Sequence, residues 1–141
     1  MKSFVVHKEI VVDAPTAEVW DALTNPKKTR HYFYHCEVLS DWKEGSPIRF
    51  KGKLFWIIPV QLNGTIKKII PGQLLQYTIQ NHGDSSVSLV TDELVPENGK
   101  TRLIITDDVG SGPGAEKRVE KSQKGWDKIL HGLKKFVETK S

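Results

Sequence analysis

Six short segments with β-strand character follow one another through the middle of the chain, and they constrain the fold more than any other feature. They span residues 36–41, 47–55, 60–70, 73–81, 86–95 and 101–109. Turn signals separate them, among them Pro71-Gly72 and Asn98-Gly99, in which glycine supplies the positive φ of a tight turn. Strands joined by turns this short pair in the antiparallel sense. The sequence therefore predicts an antiparallel meander.

Helices are predicted on both sides of the meander. Residues 3–13, rich in β-branched side chains, form a first strand. Pro15 then begins a short helix with one apolar face, and residues 26–34 form a second one. After the meander, residues 116–139 form a long helix whose apolar stripe comprises Val119, Trp126, Ile129, Leu130, Leu133 and Val137. A long helix that covers one face of an antiparallel sheet gives an α+β fold.

Composition narrows the class of protein further. A chain of 141 residues, 38% apolar and 27% charged, suits a single globular domain over residues 1–141. One cysteine, Cys36, excludes an internal disulfide framework and fits a reducing compartment, so we expect a cytoplasmic protein. The N-terminus lacks the pattern of a signal peptide. The uncharged apolar run between Lys53 and Lys67, residues 54–66, is too short to span a membrane, which takes about 20 apolar residues.

The basic excess of the chain is confined to the region of the last helix. Residues 115–141 carry eight Lys and Arg against four acids, and the rest of the chain is balanced at 13 against 13. This pattern indicates either a patch for an acidic partner or an anionic surface, or the solvated face of a terminal helix. Nucleic-acid binding is not expected, because it needs a denser basic stripe beside stacking aromatics.

Four segments occur in an order that is typical of one protein superfamily. They read IVVDAPTAEVWDALTNP near the start, GTIKKIIPGQLLQYTI and VTDELVPENGKTRLIIT in the strand series, and GWDKILHGLKKFVE in the last helix. Together they resemble the START-like superfamily, also called SRPBCC or birch-pollen-allergen-like. Within it they are most similar to the branch named after the activator of the heat-shock protein 90 ATPase. The resemblance covers nearly the whole chain.

The resemblance implies a helix-grip fold, in which a curved antiparallel sheet wraps around the long C-terminal helix and two short helices follow the first strand. Members of the superfamily usually have a cavity between sheet and helix. We therefore expect binding of a small hydrophobic molecule, such as a lipid, sterol or polyketide. A chaperone-interacting module and a cyclase or hydratase are the alternatives, because a fold does not fix a function. No cofactor or metal is expected, and the protein is expected to be a monomer or weak homodimer.

The alternation of the strands, in the register of the family pattern, indicates which side chains face the helix. A slip of one residue would turn every one of them to the other face. The predicted cavity is lined by Phe33, Ile48, Phe50, Phe55, Trp56, Ile66, Leu75, Tyr77, Ile79, Val90, Asp92, Leu103, Ile105, Asp107, Arg118, Ser122 and Trp126.

Two acids, Asp92 and Asp107, fall on this inward face among apolar residues. Because a buried unpaired carboxylate is unfavourable, each should be hydrogen-bonded, protonated or in contact with a wet cavity. Together with Tyr77 and Arg118 they would orient a ligand, or they would act as acid and base groups near Tyr77. The alternative is that both acids lie at strand ends in water.

Seven consecutive apolar residues, Leu54 to Val60, depart from the family pattern and would make both faces of a hairpin apolar. They indicate a cavity lid or a hydrophobic contact surface, or else a buried edge or a dimer contact.

Three other motifs are weaker. His31 and His35 have the spacing of metal ligands on a helix but lack the glutamate of a zincin motif. Cys36 is expected to be a small buried side chain. Residues 110–114 are glycine-rich without the end of a phosphate loop, and we expect a hinge there.

Overall fold

The structure is a computed structural model that describes residues 4–54, 58–80 and 86–139. The described strands and helices follow one another in the predicted order, which is one strand, two short helices, six strands and a long helix. In chain order they are β1 (Val5–Val12), α1 (Thr16–Thr24), α2 (Pro26–Thr29), β2 (Glu37–Ser40), β3 (Pro47–Leu54), β4 (Ile58–Ile70), β5 (Leu74–Gln80), β6 (Val87–Glu97), β7 (Lys100–Asp108) and α3 (Ala115–Thr139). No helix in these described ranges is long and apolar enough to cross a membrane.

The seven described strands form one antiparallel sheet in the order β1-β7-β6-β5-β4-β3-β2. Strands β2 to β7 pair with their neighbours in sequence, as the short turns predict. Strand β1 joins the sheet at the other edge beside β7. The sheet curves around α3, which confirms the predicted α+β helix-grip architecture.

The second short helix is shorter than predicted. Instead of residues 26–34, α2 makes a single turn that ends at Thr29. The chain cannot continue as a helix because Tyr34 and His35 have φ values of 50° and 60°, in the left-handed region. At the start of α2, the side chain of Asn25 accepts a hydrogen bond from the backbone of Lys27, so this turn has its own cap.

Alternate residues of four strands are buried against α3, and this confirms the predicted inward register. The buried residues of these strands are Ile48, Phe50, Leu75, Tyr77, Ser88, Val90, Asp92, Leu94, Thr101, Leu103, Ile105 and Asp107. On the helix, the buried side chains are Ala115, Trp126, Ile129, Leu130, Leu133 and Val137. The predicted stripe holds except at Val119, which is only half-buried.

Strands β4 and β5 approach each other closely at Gly64. A Cβ atom at this position would overlap the backbone carbonyl of Thr78, so only glycine fits. Nearby, the backbone of Thr65 donates to the Thr78 hydroxyl over 3.1 Å, and the pairing shifts register between Ile66 and Lys68. Such an irregularity bends a strand and increases its twist.

Candidate functional site

The space between α3 and the sheet has two parts, and the side chains of Trp126 and Ile129 border both of them. Beneath the second half of the helix lies a void of about 20 Å³. Beneath the first half lies an open space of about 850 Å³, which we call the cleft. The size of the cleft falls within the range of roughly 300–1,000 Å³ that is typical of small-molecule sites.

Aromatic packing closes the space beneath the second half of α3. The ring centroids of Phe33 and Phe50 lie 5.4 Å apart, and those of Phe50 and Tyr77 lie 5.7 Å apart. Phe33 also meets the Trp126 ring edge-on at 6.0 Å. These are ordinary distances for aromatic pairs in a core. The described residues in this part of the molecule therefore enclose only the small void.

The predicted lining residues divide between the two spaces. The small void is bordered by Phe33, Ile48, Phe50, Leu75, Tyr77, Asp92, Ile105 and Trp126. The cleft is bordered by Ile79, Val90, Asp107, Arg118, Ser122 and Trp126. Ile66 and Leu103 border neither space, because both side chains are enclosed in the core. Phe55 and Trp56 lie outside the described residues, as do the side chains of the apolar hairpin at Leu54 to Val60.

The cleft has an apolar floor, a small polar group and a charged rim. The apolar side chains that border it are Leu62, Ile79, Val90, Val109, Trp126 and Ile129. Its inner polar side chains are Ser88, Asp107 and Ser122. Its rim is formed by Tyr34, Lys117, Arg118, Glu120, Lys121 and Lys124. An apolar pocket with a few convergent polar groups is the usual form of a small-molecule site.

Asp107 connects the sheet to α3 at the base of the cleft. Its Oδ2 atom accepts hydrogen bonds from the Ser122 hydroxyl at 2.6 Å and from the Trp126 indole Nε1 at 3.0 Å. Its Oδ1 atom is buried and has no hydrogen-bond partner among the described residues. Burial raises the pKa of Asp107, and the two hydrogen bonds oppose that rise.

Asp92 lies deeper, in the middle of β6, between Leu75 on one neighbouring strand and Ile105 on the other. Its side chain is 3% exposed, and its Oδ1 atom has no partner within the described part of the chain. Burial, together with the charge of Asp107, raises the pKa of Asp92 to about 8. The alternative in which both acids lie at strand ends in water is therefore wrong.

Tyr77 and Asp92 do not border the cleft, although both were predicted to act on a ligand. Burial and the nearby Asp92 raise the pKa of Tyr77 well above its ordinary value. A phenol in this state neither ionises at neutral pH nor meets a molecule in the cleft. The void beside these two residues is too small for an organic substrate.

Arg118 borders the cleft, and its guanidinium also binds the neighbouring loop. Its guanidinium donates to the backbone carbonyls of Val109 at 2.8 Å, Pro113 at 3.0 Å and Ser111 at 3.2 Å. These bonds hold the glycine-rich loop of residues 109–114 against the first turns of α3. The loop is therefore tied to the helix beside the cleft.

Sequence reasoning missed Lys117, Lys121 and Lys124, which share one face of α3 and border the cleft. Their spacing of four and then three residues is a signal that could have placed them together. Tyr34 was also missed, since its position depends on the left-handed backbone after α2. Its ring is 49% exposed and lies 5.4 Å from the Lys128 ammonium.

Of the histidine and cysteine motifs, His31 and Cys36 pack against other side chains in the described part of the chain. His31 stacks on Phe136 with a ring distance of 5.1 Å. Within the described ranges, no three or more His, Cys, Asp or Glu side chains are grouped to hold a metal. Cys36 is buried, and burial raises the pKa of its thiol, which disfavours the reactive thiolate.

A curved seven-stranded sheet around a C-terminal helix, with a cleft between them, defines the START-like or SRPBCC class of proteins. Within that class, the chain belongs to the family described as "Activator of Hsp90 ATPase homolog 1-like protein", whose family model matches residues 13–138.

Solved structures of similar proteins share this fold over most of the chain. A protein from Mesorhizobium loti, MLL2253, has a TM-score of 0.83 and 20% identity, with 97% of this chain and 98% of that one covered. ChR145 from Cytophaga hutchinsonii has a TM-score of 0.73 and 30% identity, with coverage of 99% and 98%. CalU16 from Micromonospora echinospora has a TM-score of 0.77 and 25% identity, with coverage of 94% and 73%. No curated protein matches the sequence.

Proposed function

We propose that this protein binds a small hydrophobic molecule in the cleft beneath the first half of α3. The observation that carries the proposal is the cleft itself, a space of about 850 Å³ with an apolar floor that includes Ile79, Val90 and Trp126. Removal of apolar ligand surface from water at this floor contributes about 25 cal/mol per Å², before the costs of association.

Asp107 supplies the polar group that would orient such a ligand. It stands at the base of the cleft, and two hydrogen bonds from α3 fix its position. A ligand hydroxyl or amine that donates to this carboxyl would gain a directional contact in a surrounding that is otherwise apolar. This role keeps Asp107 and Ser122 in the predicted site and removes Tyr77 and Asp92 from it.

A panel of lipids, sterols and aromatic polyketides, followed by NMR, tests the proposal. A bound compound should shift the amide signals of Ile79 and Val90 and the indole signal of Trp126, whose N–H is bonded to Asp107. The variant Ile79→Trp, which places an indole on the apolar floor where the body of the ligand would lie, should abolish those shifts. Val95→Trp adds a side chain of the same size at a 41% exposed position of β6 and should leave them intact.

Two outcomes would overturn the proposal. One is that no compound of the panel moves the cleft signals. The other is that Val95→Trp weakens binding as much as Ile79→Trp does, since the effect would then come from the fold rather than from the occupied space.

Interaction with a chaperone is the second candidate function, and the family description favours it. The ATPase rate of a heat-shock protein 90, measured with and without the purified protein, tests this candidate. Stimulation of that rate is the expected result. Ile79→Trp discriminates between the two functions, because it should block ligand binding and leave a chaperone contact elsewhere on the surface unchanged.

A further inference from the structure

We propose that the molecule bound in the cleft is an anionic amphiphile, with an apolar body on the cleft floor and one negatively charged group at the rim beside Lys117, Lys121 and Lys124. The inference rests on the proposed function and names the chemical class of its ligand.

The three lysines occupy one side of α3 at successive turns, and all three border the cleft. Helix α3 begins at Ala115, so they stand in its first half, and Lys117 lies in its first turn, where the helix dipole also favours a negative group. Lys117 and Lys121 make no ion pair with any residue that the structure describes. Lys124 approaches Glu120 at 3.4 Å, with both side chains largely exposed.

Two charged residues of α3 that face β1 are paired, whereas Lys117 and Lys121 at the cleft are not paired with any described residue. Asp127 contacts Lys8 of β1 at 3.0 Å. Lys134 contacts Glu138 at 2.6 Å and donates to the Val11 carbonyl at 2.7 Å. The helix therefore neutralises its charges on the side of β1 and retains positive charge on the side of the cleft. The rim carries Lys117, Arg118, Lys121 and Lys124 against the single acid Glu120, and such an excess of positive charge over apolar walls attracts negatively charged ligands.

The combination of rim and floor selects an amphiphile. A small inorganic anion would leave the apolar floor in contact with water. A neutral hydrophobic molecule would bury the floor but gain nothing from the lysines. A molecule with both parts uses both surfaces, and an ammonium group imposes little geometry on its anion. The headgroup is therefore defined by its charge, and a carboxylate is a suitable probe.

Dodecanoate and dodecanol, which share an alkyl chain and differ in headgroup charge, provide the test. Each is titrated as a monomer into ¹⁵N-labelled protein at neutral pH and low salt. Both should shift the cleft signals, and dodecanoate should bind roughly tenfold more tightly. Added salt should reduce this preference. Because exposed ion pairs change affinity by roughly 1.5- to 5-fold each, the combined variant Lys117→Gln/Lys121→Gln/Lys124→Gln should remove most of it.

The matched control carries the same loss of charge away from the cleft, at exposed positions: Lys67→Gln/Lys100→Gln/Lys135→Gln. It should retain the preference for dodecanoate. Equal binding of dodecanoate and dodecanol would overturn this inference and leave the proposed function standing. If neither dodecanoate, dodecanol nor any compound of the lipid, sterol and polyketide panel bound in the cleft, both this inference and the proposed function would be overturned. A third outcome is that the protein sediments with phosphatidylglycerol vesicles while dodecanoate does not shift the cleft signals. This would also overturn the inference, since the lysines would then bind a membrane surface.

Discussion

Asp92 and Asp107 both lie on the inward face of the sheet, but they have different roles because their surroundings differ. Asp107 has two donors on α3, so its carboxyl is held in a defined place at the cleft. Asp92 is enclosed between strands and borders only the small void. Since water and donors decide how a buried acid ionises, Asp107 is suited to contact a ligand and Asp92 affects the stability of the fold.

Replacement of Asp92 by asparagine tests this at the residue scale. The pKa of Asp92 is about 8 in the folded protein, against an ordinary value of 3.8. Between these values the unfolded chain loses the proton and the folded chain keeps it. Stability therefore falls as pH rises through this window, by at most about 1.4 kcal/mol per pH unit from this group. Asp92→Asn should remove that fall.

Denaturant unfolding at pH 5 and pH 8 measures the effect. The free energy of unfolding of Asp92→Asn, relative to the wild type, should rise between the two pH values by a few kcal/mol. The exposed variant Asp41→Asn is the control and should follow the wild type. An identical pH dependence for all three proteins would mean that Asp92 is ionised in the folded state.

At the scale of elements, the glycine-rich loop and the start of α3 form one unit. Gly110, Gly112 and Gly114 have positive φ, so the loop follows a path open mainly to glycine. Arg118 gives that path a fixed anchor through its bonds to three loop carbonyls. The hinge that the sequence predicts at residues 110–114 is thus held in place by Arg118, which also binds the carbonyl of Val109 just before it.

Arg118→Gln should release the loop without unfolding the protein. Loss of the guanidinium bonds should destabilise the region by about 1–3 kcal/mol. Amide hydrogen exchange of residues 110–115 should accelerate by about tenfold or more, while the strands keep their protection. Arg102→Gln, which breaks contacts to Glu97 and Glu9 instead, is the matched control. Unchanged exchange in the loop of Arg118→Gln would show that the backbone alone fixes it.

At the scale of the whole molecule, the sequence predicts the layers better than the space between them. The alternation of Leu75 and Tyr77, or of Leu103 and Ile105, is local, so the inward face follows from it directly. Whether that face leaves a cavity depends on side chains from distant elements. Phe33, Phe50 and Trp126 fill the predicted cavity, and their meeting is a property of the folded chain.

The charged rim of the cleft could not be predicted from the sequence for the same reason, since it depends on how distant elements pack. The sequence places the basic excess in the last helix but leaves open whether that face meets water or a partner. Because α3 is 25 residues long and only its second half is packed on the aromatic layer, its first half extends over open space. The position of Trp126 within the helix therefore decides which lysines border a site.

Because α3 has a packed half and an open half, a substitution in the packed half should affect stability and not ligand affinity, and a substitution beneath the open half should do the opposite. Leu133 is 0% exposed in the packed half, and Leu133→Ala should lower the free energy of unfolding by about 2–5 kcal/mol. Dodecanoate affinity of the folded variant should stay within about twofold of the wild type, since Leu133 does not border the cleft.

Ile79→Trp should show the reverse pattern. Its indole would project into open space, so the free energy of unfolding should change by less than about 1 kcal/mol, while dodecanoate binding is lost. Unfolding curves and NMR titrations of both variants supply the comparison. If Leu133→Ala reduced the free energy of dodecanoate binding as much as it reduced the free energy of unfolding, the two halves of the helix would be coupled. The ligand would then have to be bound by the core as a whole.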